Sequence, residues 1–220
     1  MMVISVTNNK TEYVVMGGTF DPVHNGHIRS AQALAKTMGY THVYMMPCGD
    51  AYHKQGASSV QHRLAMLHEA LDKQAVLQID PRETLREGAT YTVETLRQLR
   101  SELGDDAHIC WILGTDAAKG LTLWQDWQQV FALANVIVIN RAGVALPDQF
   151  SQSWPAKQEH EIETFKQRAS GCFMQLALEP VEVSSTQIRQ ALHKQESVDH
   201  HVPQAVMNYI ELHGLFKGKN

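Results

Sequence analysis

The segment from Tyr13 to Met38 constrains the fold most. Tyr13-Val14-Val15-Met16 is a short apolar run closed by Gly17-Gly18, and Asn25 to Met38 carries apolar residues at helical spacing. Strand, glycine turn and helix in that order form the opening unit of a parallel α/β sheet. The alternation then recurs, which predicts strands at Val43–Pro47, Val76–Ile79, Ile109–Leu113, Val136–Ile139 and Phe173–Leu178. Helices are predicted over Gln61–Leu71, Val93–Leu103, Trp124–Leu133, Ser185–His193 and from Pro203 to His213, with Gly214 as the last stop. Strands that are apolar throughout are covered on both faces, so the expectation is a doubly wound, Rossmann-like α/β fold with a mostly parallel sheet and helices on both faces. Ligands of such a sheet lie beyond the carboxyl ends of its strands. The polar stretch Pro147–Gly171 fits this alternation least and reads as an excursion or a surface helix.

A chain of 220 residues, 44% hydrophobic and 19% charged, suits one folded domain. The net charge of −4 offers no general attraction to a nucleic-acid backbone, so any phosphate site has to be a local cluster of donors. Cys48, Cys110 and Cys172 lack the paired spacing of a zinc site or a disulfide framework and read as reduced cytosolic thiols. The longest apolar stretch, around Val130–Ile139, is too short to span a bilayer, and the first ten residues lack the pattern of a signal peptide. The expectation is a cytoplasmic protein without nucleic-acid or membrane partners.

The chemistry-bearing residues cluster at strand-to-helix junctions. In Gly17-Gly18-Thr19-Phe20-Asp21-Pro22-Val23-His24-Asn25-Gly26-His27, the glycine pair lets backbone N–H groups approach a phosphate, and the following helix start adds its dipole. His24 and His27, three residues apart, fall at the same end of that helix. A tight turn with two solvated histidines would account for either pair alone, but not for both together at one junction. Val183-Ser184-Ser185-Thr186-Gln187-Ile188-Arg189 also sits at a helix start, where its hydroxyls suit a cap. Gly114-Thr115-Asp116 follows a strand, and His53-Lys54 lies in a polar loop.

Taken together, these blocks resemble the nucleotidyltransferase superfamily marked by a glycine-rich loop ending in H-x-G-H, and in particular the bacterial nicotinate-nucleotide adenylyltransferases. The resemblance extends over most of the chain. It implies that Gly17, Gly18, Thr19, Phe20, His24 and His27 bind ATP, with the two histidines stabilising the transition state. Ser185, Thr186 and Arg189 match S-S-T-x-I-R, which grips the β- and γ-phosphates, so the helical part at about 184–216 completes the ATP site. Gly114 and Asp116 match G-x-D, whose aspartate meets a ribose. Lys54 would reach phosphates once its loop closes. Tyr91, Thr92 and Thr95 look like the S-Y-T-x-x-T segment that binds the nicotinate nucleotide, with Trp124 as a stacking partner.

The activity implied is transfer of the adenylyl group of ATP, carried with Mg²⁺ on its phosphates, to nicotinate mononucleotide, giving pyrophosphate and a dinucleotide on the way to NAD. Because the attacking phosphate is already an anion, the protein's work is positioning and offsetting charge, with no dedicated protein metal site. The chain departs from its relatives at Ala51-Tyr52, where many carry Pro-Pro, at Ala142 in their Arg-Pro-Gly, and at Pro180-Val181, where some carry an aromatic residue. These departures leave three alternatives open: nicotinamide mononucleotide as acceptor, another phosphate acceptor, or a nucleotide-binding module without turnover.

Overall fold

The computed structural model describes residues 5–7, 10–49, 57–141, 147–179 and 183–217. Lys54, His53, Ala51-Tyr52, Ala142 and Pro180-Val181 lie outside these residues.

A hairpin of β1 (Ser5–Thr7) and β2 (Lys10–Gly18) opens the chain, followed by α1 (Asn25–Met38), β3 (Val43–Pro47), α2 (Val60–Leu71) and β4 (Leu77–Ile79). Then come α3 (Thr92–Leu103), β5 (His108–Gly114), α4 (Thr115–Lys119), α5 (Trp127–Leu133) and β6 (Asn135–Arg141). The remaining elements are α6 (Asp148–Ser151), β7 (Lys157–Gln158), α7 (Ile162–Gln167), β8 (Cys172–Leu178), α8 (Ser185–His193) and α9 (Gln204–Leu212). The sheet order is β4-β3-β2-β5-β6-β8-β7, and every pairing along it is parallel; β1 joins β2 antiparallel.

Side chains that alternate along the strands bury both faces. Val14, Met16, Met45, Ile112 and Ile137 pack with Leu34 of α1, Leu67 of α2, Ile188 of α8 and Ile210 of α9. Tyr13, Val15, Met46, Trp111, Val136 and Val138 pack on the other face with Leu96 and Leu99 of α3 and Phe131 of α5. A strand enclosed on both sides can be apolar at every position, which is why these runs stand out in the sequence.

From β2 the chain winds outward to β3 and β4, and from β5 it winds the opposite way to β6 and β8. The adjacent carboxyl ends of β2, at Gly18, and β5, at Gly114, therefore form the topological switch point, where α/β sheets open a crevice.

Three details differ from the sequence expectation. The helix predicted from Trp124 starts at Trp127, because Asp126 adopts a left-handed conformation (φ 48°) and Trp124 is extended after a one-turn 3-10 helix at Leu121–Leu123. Pro203 precedes α9 as its N-cap, with ψ at 141°, instead of occupying its first turn. The stretch 147–171 contributes two short helices and the edge strand β7.

Candidate active site

The N-terminus of α1 is held by two imidazoles. His24 is the N-cap, in extended conformation, and its Nδ1 accepts the backbone N–H of His27 at 3.4 Å. His27 returns the bond, its Nδ1 accepting the His24 N–H at 3.3 Å, in the reciprocal arrangement of a capping box. The two rings stack with centroids 3.7 Å apart. With Nδ1 used as an acceptor, each neutral ring carries its proton on Nε2, and that N–H is the group His24 can offer a ligand. Burial, and secondarily the neighbouring His201, push the pKa of His24 down to about 4, so at neutral pH it is an uncharged donor. The glycine between the histidines is sterically required: a Cβ on Gly26 would lie 2.9 Å from His24 Nδ1 and 3.1 Å from Val183 Cγ1.

Two of the first amides of α1 are engaged within the protein. The Asn25 N–H donates to the His201 carbonyl at 2.8 Å, and the His27 N–H is taken by His24. The turn carrying His200 and His201 also accepts the Asn25 side chain, at the His200 carbonyl. The Phe20 ring is 1% exposed and meets His27 edge-on, so the side chain supports the imidazole from below.

The second helix start docks onto the same loop. Ser184 is the N-cap of α8, in a capping box with Gln187. Ser185 Oγ donates to the Pro22 carbonyl at 3.0 Å and Arg189 Nη1 to the Asp21 carbonyl at 2.6 Å, while Arg189 Nη2 reaches Thr186 Oγ1 at 3.4 Å. Arg189 thus stands against the loop bearing His24 and His27, where its charge acts on the same region. Asp21 is buried; its Oδ2 accepts the Ser58 N–H, and its Oδ1 has no partner among the described residues.

A cavity of about 620 Å³ occupies the switch point. It is lined on the β2 side by Gly17, Gly18 and Thr19, on the β5 side by Gly114, and at the far end by Thr90, Tyr91, Thr92 and Trp124. Its floor is Trp111, which lies so close to Gly17 that a Cβ there would be 2.9 Å from Trp111 Cζ2. At α3, Tyr91 gives no side-chain cap, and the Tyr91 carbonyl accepts from Glu94 and Thr95. Among the described residues, the N–H groups of Thr92 and Val93 meet no acceptor, so α3 starts uncapped where Tyr91 and Thr92 line the cavity. Asp116, in the first turn of α4, is exposed beside the cavity wall formed by Gly114 and Ala117.

Thr95 does not line the cavity. It is fully buried, donates to Glu83 Oε1 at 2.6 Å and accepts from Arg86 Nη1 at 2.7 Å, so it holds Glu83 in place instead of touching a substrate. Burial raises the pKa of Glu83, opposed by the Thr95 hydrogen bond and the nearby Arg86. Sequence reasoning missed Glu83, Cys48 and Trp111 in the cavity wall and Arg63 behind it. An arginine on the apolar side of α2, beside Met66 and Leu67, was the one available signal for the last of these.

The family model described as cytidylyltransferase-like matches residues 15–191. Curated relatives named "Probable nicotinate-nucleotide adenylyltransferase" include one from Chromobacterium violaceum, 41% identical over 92% of this chain and 97% of its own length. Another from Pseudomonas putida is 37% identical over 94% and 95%. Among solved structures, the nicotinic acid mononucleotide adenylyltransferase of Plasmodium falciparum complexed with NaAD superposes with a TM-score of 0.74 at 16% identity, covering 93% of this chain and 97% of that one. No helix of the described residues is long and apolar enough to cross a membrane. With the H-x-G-H loop, the switch-point cavity and these relatives in agreement, the chain belongs to the nicotinate-nucleotide adenylyltransferases of the cytidylyltransferase-like family.

Proposed function

We propose that this enzyme transfers the adenylyl group of ATP to the phosphate of nicotinate mononucleotide, releasing pyrophosphate and forming nicotinate adenine dinucleotide for NAD biosynthesis. The observation that carries this reading is the cavity at the switch point, which joins the glycine loop of β2 to the uncapped start of α3 and Trp124. A pyridine ring stacked on Trp124 would place its carboxylate towards the N–H groups of Thr92 and Val93, which favour a negative oxygen pair over an amide NH₂.

The acceptor phosphate attacks the α-phosphorus in line, and the P–O bond to the β-phosphate breaks. No general base is needed, because the nucleophile is an anion. His24, as a neutral Nε2–H donor beside His27, meets charge developing on the α-phosphate, and Arg189 faces the departing pyrophosphate. Lys54 would add charge to the same phosphates. ATP enters with Mg²⁺ on its phosphates; among the described residues no cluster of three His, Cys, Asp or Glu side chains is placed to hold a metal.

The reading is tested with ATP labelled at either its α- or γ-phosphorus and supplied with nicotinate mononucleotide. The α-label should appear in a dinucleotide and the γ-label in pyrophosphate. Release of the γ-label as orthophosphate, or no reaction with any mononucleotide, would overturn it.

A further inference from the structure

Arg63 is 1% exposed, yet it lies on the fourth residue of α2, directly beneath the loops that build the cavity. Helical side chains lean toward the helix N-terminus, and this one leans toward the carboxyl ends of β2 and β3. Its Nε donates to the Ser58 carbonyl at 3.1 Å, and its Nη2 donates to the Gly49 carbonyl at 2.6 Å. Its Nη1 is shared between the carbonyls of Thr19 at 3.0 Å and Cys48 at 2.8 Å, with the Cys48 sulfur at 3.6 Å. One guanidinium therefore holds the turn after β2, the exit of β3 and the entry to α2. Among the described residues none of its partners is a carboxylate.

A buried cation whose partners among the described residues are carbonyl dipoles and a cysteine sulfur is costly to desolvate, and an apolar side chain would fill the same space at less cost. The arrangement does something an apolar contact cannot: the planar fork fixes the directions of several carbonyls at once. Thr19 and Cys48 line the cavity, and Gly18 is bound to the same group through the Cys48 N–H, which donates to the Gly18 carbonyl at 2.9 Å. Peptide planes are rigid, so fixing the Thr19 and Cys48 carbonyls also fixes the N–H groups that follow them.

We propose that Arg63 is a positioning residue for adenylyl transfer, which sets the spacing between the glycine loop and the β3 exit so that two bound nucleotides meet in line. The inference rests on the adenylyl-transfer reading of this cavity. Its effect belongs to the approach of the reacting groups, not to either nucleotide's own contacts. A loss of registry near 1 Å between reacting groups costs on the order of a hundredfold in rate.

The experiment compares wild type, Arg63→Lys and Arg63→Ala, each checked for folding by thermal melting in saturating ATP. Measured for each are kcat, the affinity for each nucleotide singly, and rescue of Arg63→Ala by methylguanidinium. Arg63→Lys keeps the charge and loses the fork. It is expected to lower kcat about a hundredfold while each nucleotide alone binds within a few-fold of wild type, and methylguanidinium should restore part of the Arg63→Ala rate without raising its melting temperature. Folded Arg63→Lys with kcat within threefold of wild type overturns the proposal. So does a loss of kcat matched by equal losses of both affinities, or failure of both variants to fold, either of which assigns Arg63 to the fold. An inactive wild type instead refutes the adenylyl-transfer reading itself, so the two failures are distinct.

Discussion

His24 and His27 cap the same helix by exchanging bonds: each Nδ1 accepts the other residue's backbone N–H, at 3.4 and 3.3 Å, and the rings stack 3.7 Å apart. The Nδ1 edge of each imidazole is thus spent on structure, which leaves the chemistry of His24 to its Nε2 edge. The two roles can be separated by substitution. Asparagine places a polar side-chain atom near the position of Nδ1 and is a good N-cap, but it has nothing at the position of Nε2. His24→Asn should keep most of the stability, while His24→Ala should lose about 1 kcal/mol with the cap. Both should lose roughly a hundredfold in kcat, the scale of one preorganised donor. Denaturation midpoints and turnover of the two variants check this; an active His24→Asn would show that the cap is the histidine's whole contribution.

The lowered pKa of His24 makes a stability prediction. Its folded value, about 4, lies below the ordinary value of 6.5, so between these pH values the unfolded chain binds more protons than the native one. Stability from this residue is complete above about pH 6.5 and is lost as pH falls toward 4, by up to roughly 3 kcal/mol. Denaturant unfolding of wild type at pH 7 and pH 4.5 should show a larger drop than the same comparison for His24→Asn. Equal drops would place the titration elsewhere. In an NMR titration the His24 ring should change protonation near pH 4.

Most of the architecture was legible in the sequence because a parallel strand buried on both faces has no polar interruption, as in Val43–Pro47, and because Gly214 stops the last helix with a positive φ. The site was legible as residue types at junctions. Hidden from the sequence was the direction in which a side chain faces. Phe20 and Thr95 match binding motifs yet point inward, Phe20 because its left-handed backbone (φ 51°) turns the ring under His27, and Thr95 because Glu83 needs its hydroxyl. Backbone accounting was equally hidden. Whether a helix start is spent on a neighbour, as at Asn25, or left open, as at Thr92, depends on segments 175 residues apart in the chain meeting in space.

Thr95 offers a test of that correction. Thr95→Val preserves shape and removes the hydroxyl, leaving a buried carboxyl group of Glu83 short of a donor. This should cost about 1–3 kcal/mol, with Thr95→Ser recovering most of it. Chemical denaturation reads the outcome. Unchanged stability with a raised KM for the mononucleotide would instead make Thr95 a direct contact.

Adenylyl transfer to an acid acceptor turns on the open start of α3. Nicotinate and nicotinamide mononucleotides have nearly the same shape, so under the proposed function discrimination comes from the uncapped N–H groups at the start of α3 meeting a carboxylate or an amide. Sites built on such polar matching reject the mismatched ligand by several orders of magnitude. The decisive measurement is kcat/KM for pyrophosphate release with each mononucleotide at saturating ATP and Mg²⁺. The expected ratio is at least a hundredfold in favour of the acid; equal values, or a preference for the amide, would refute acid recognition at this helix start.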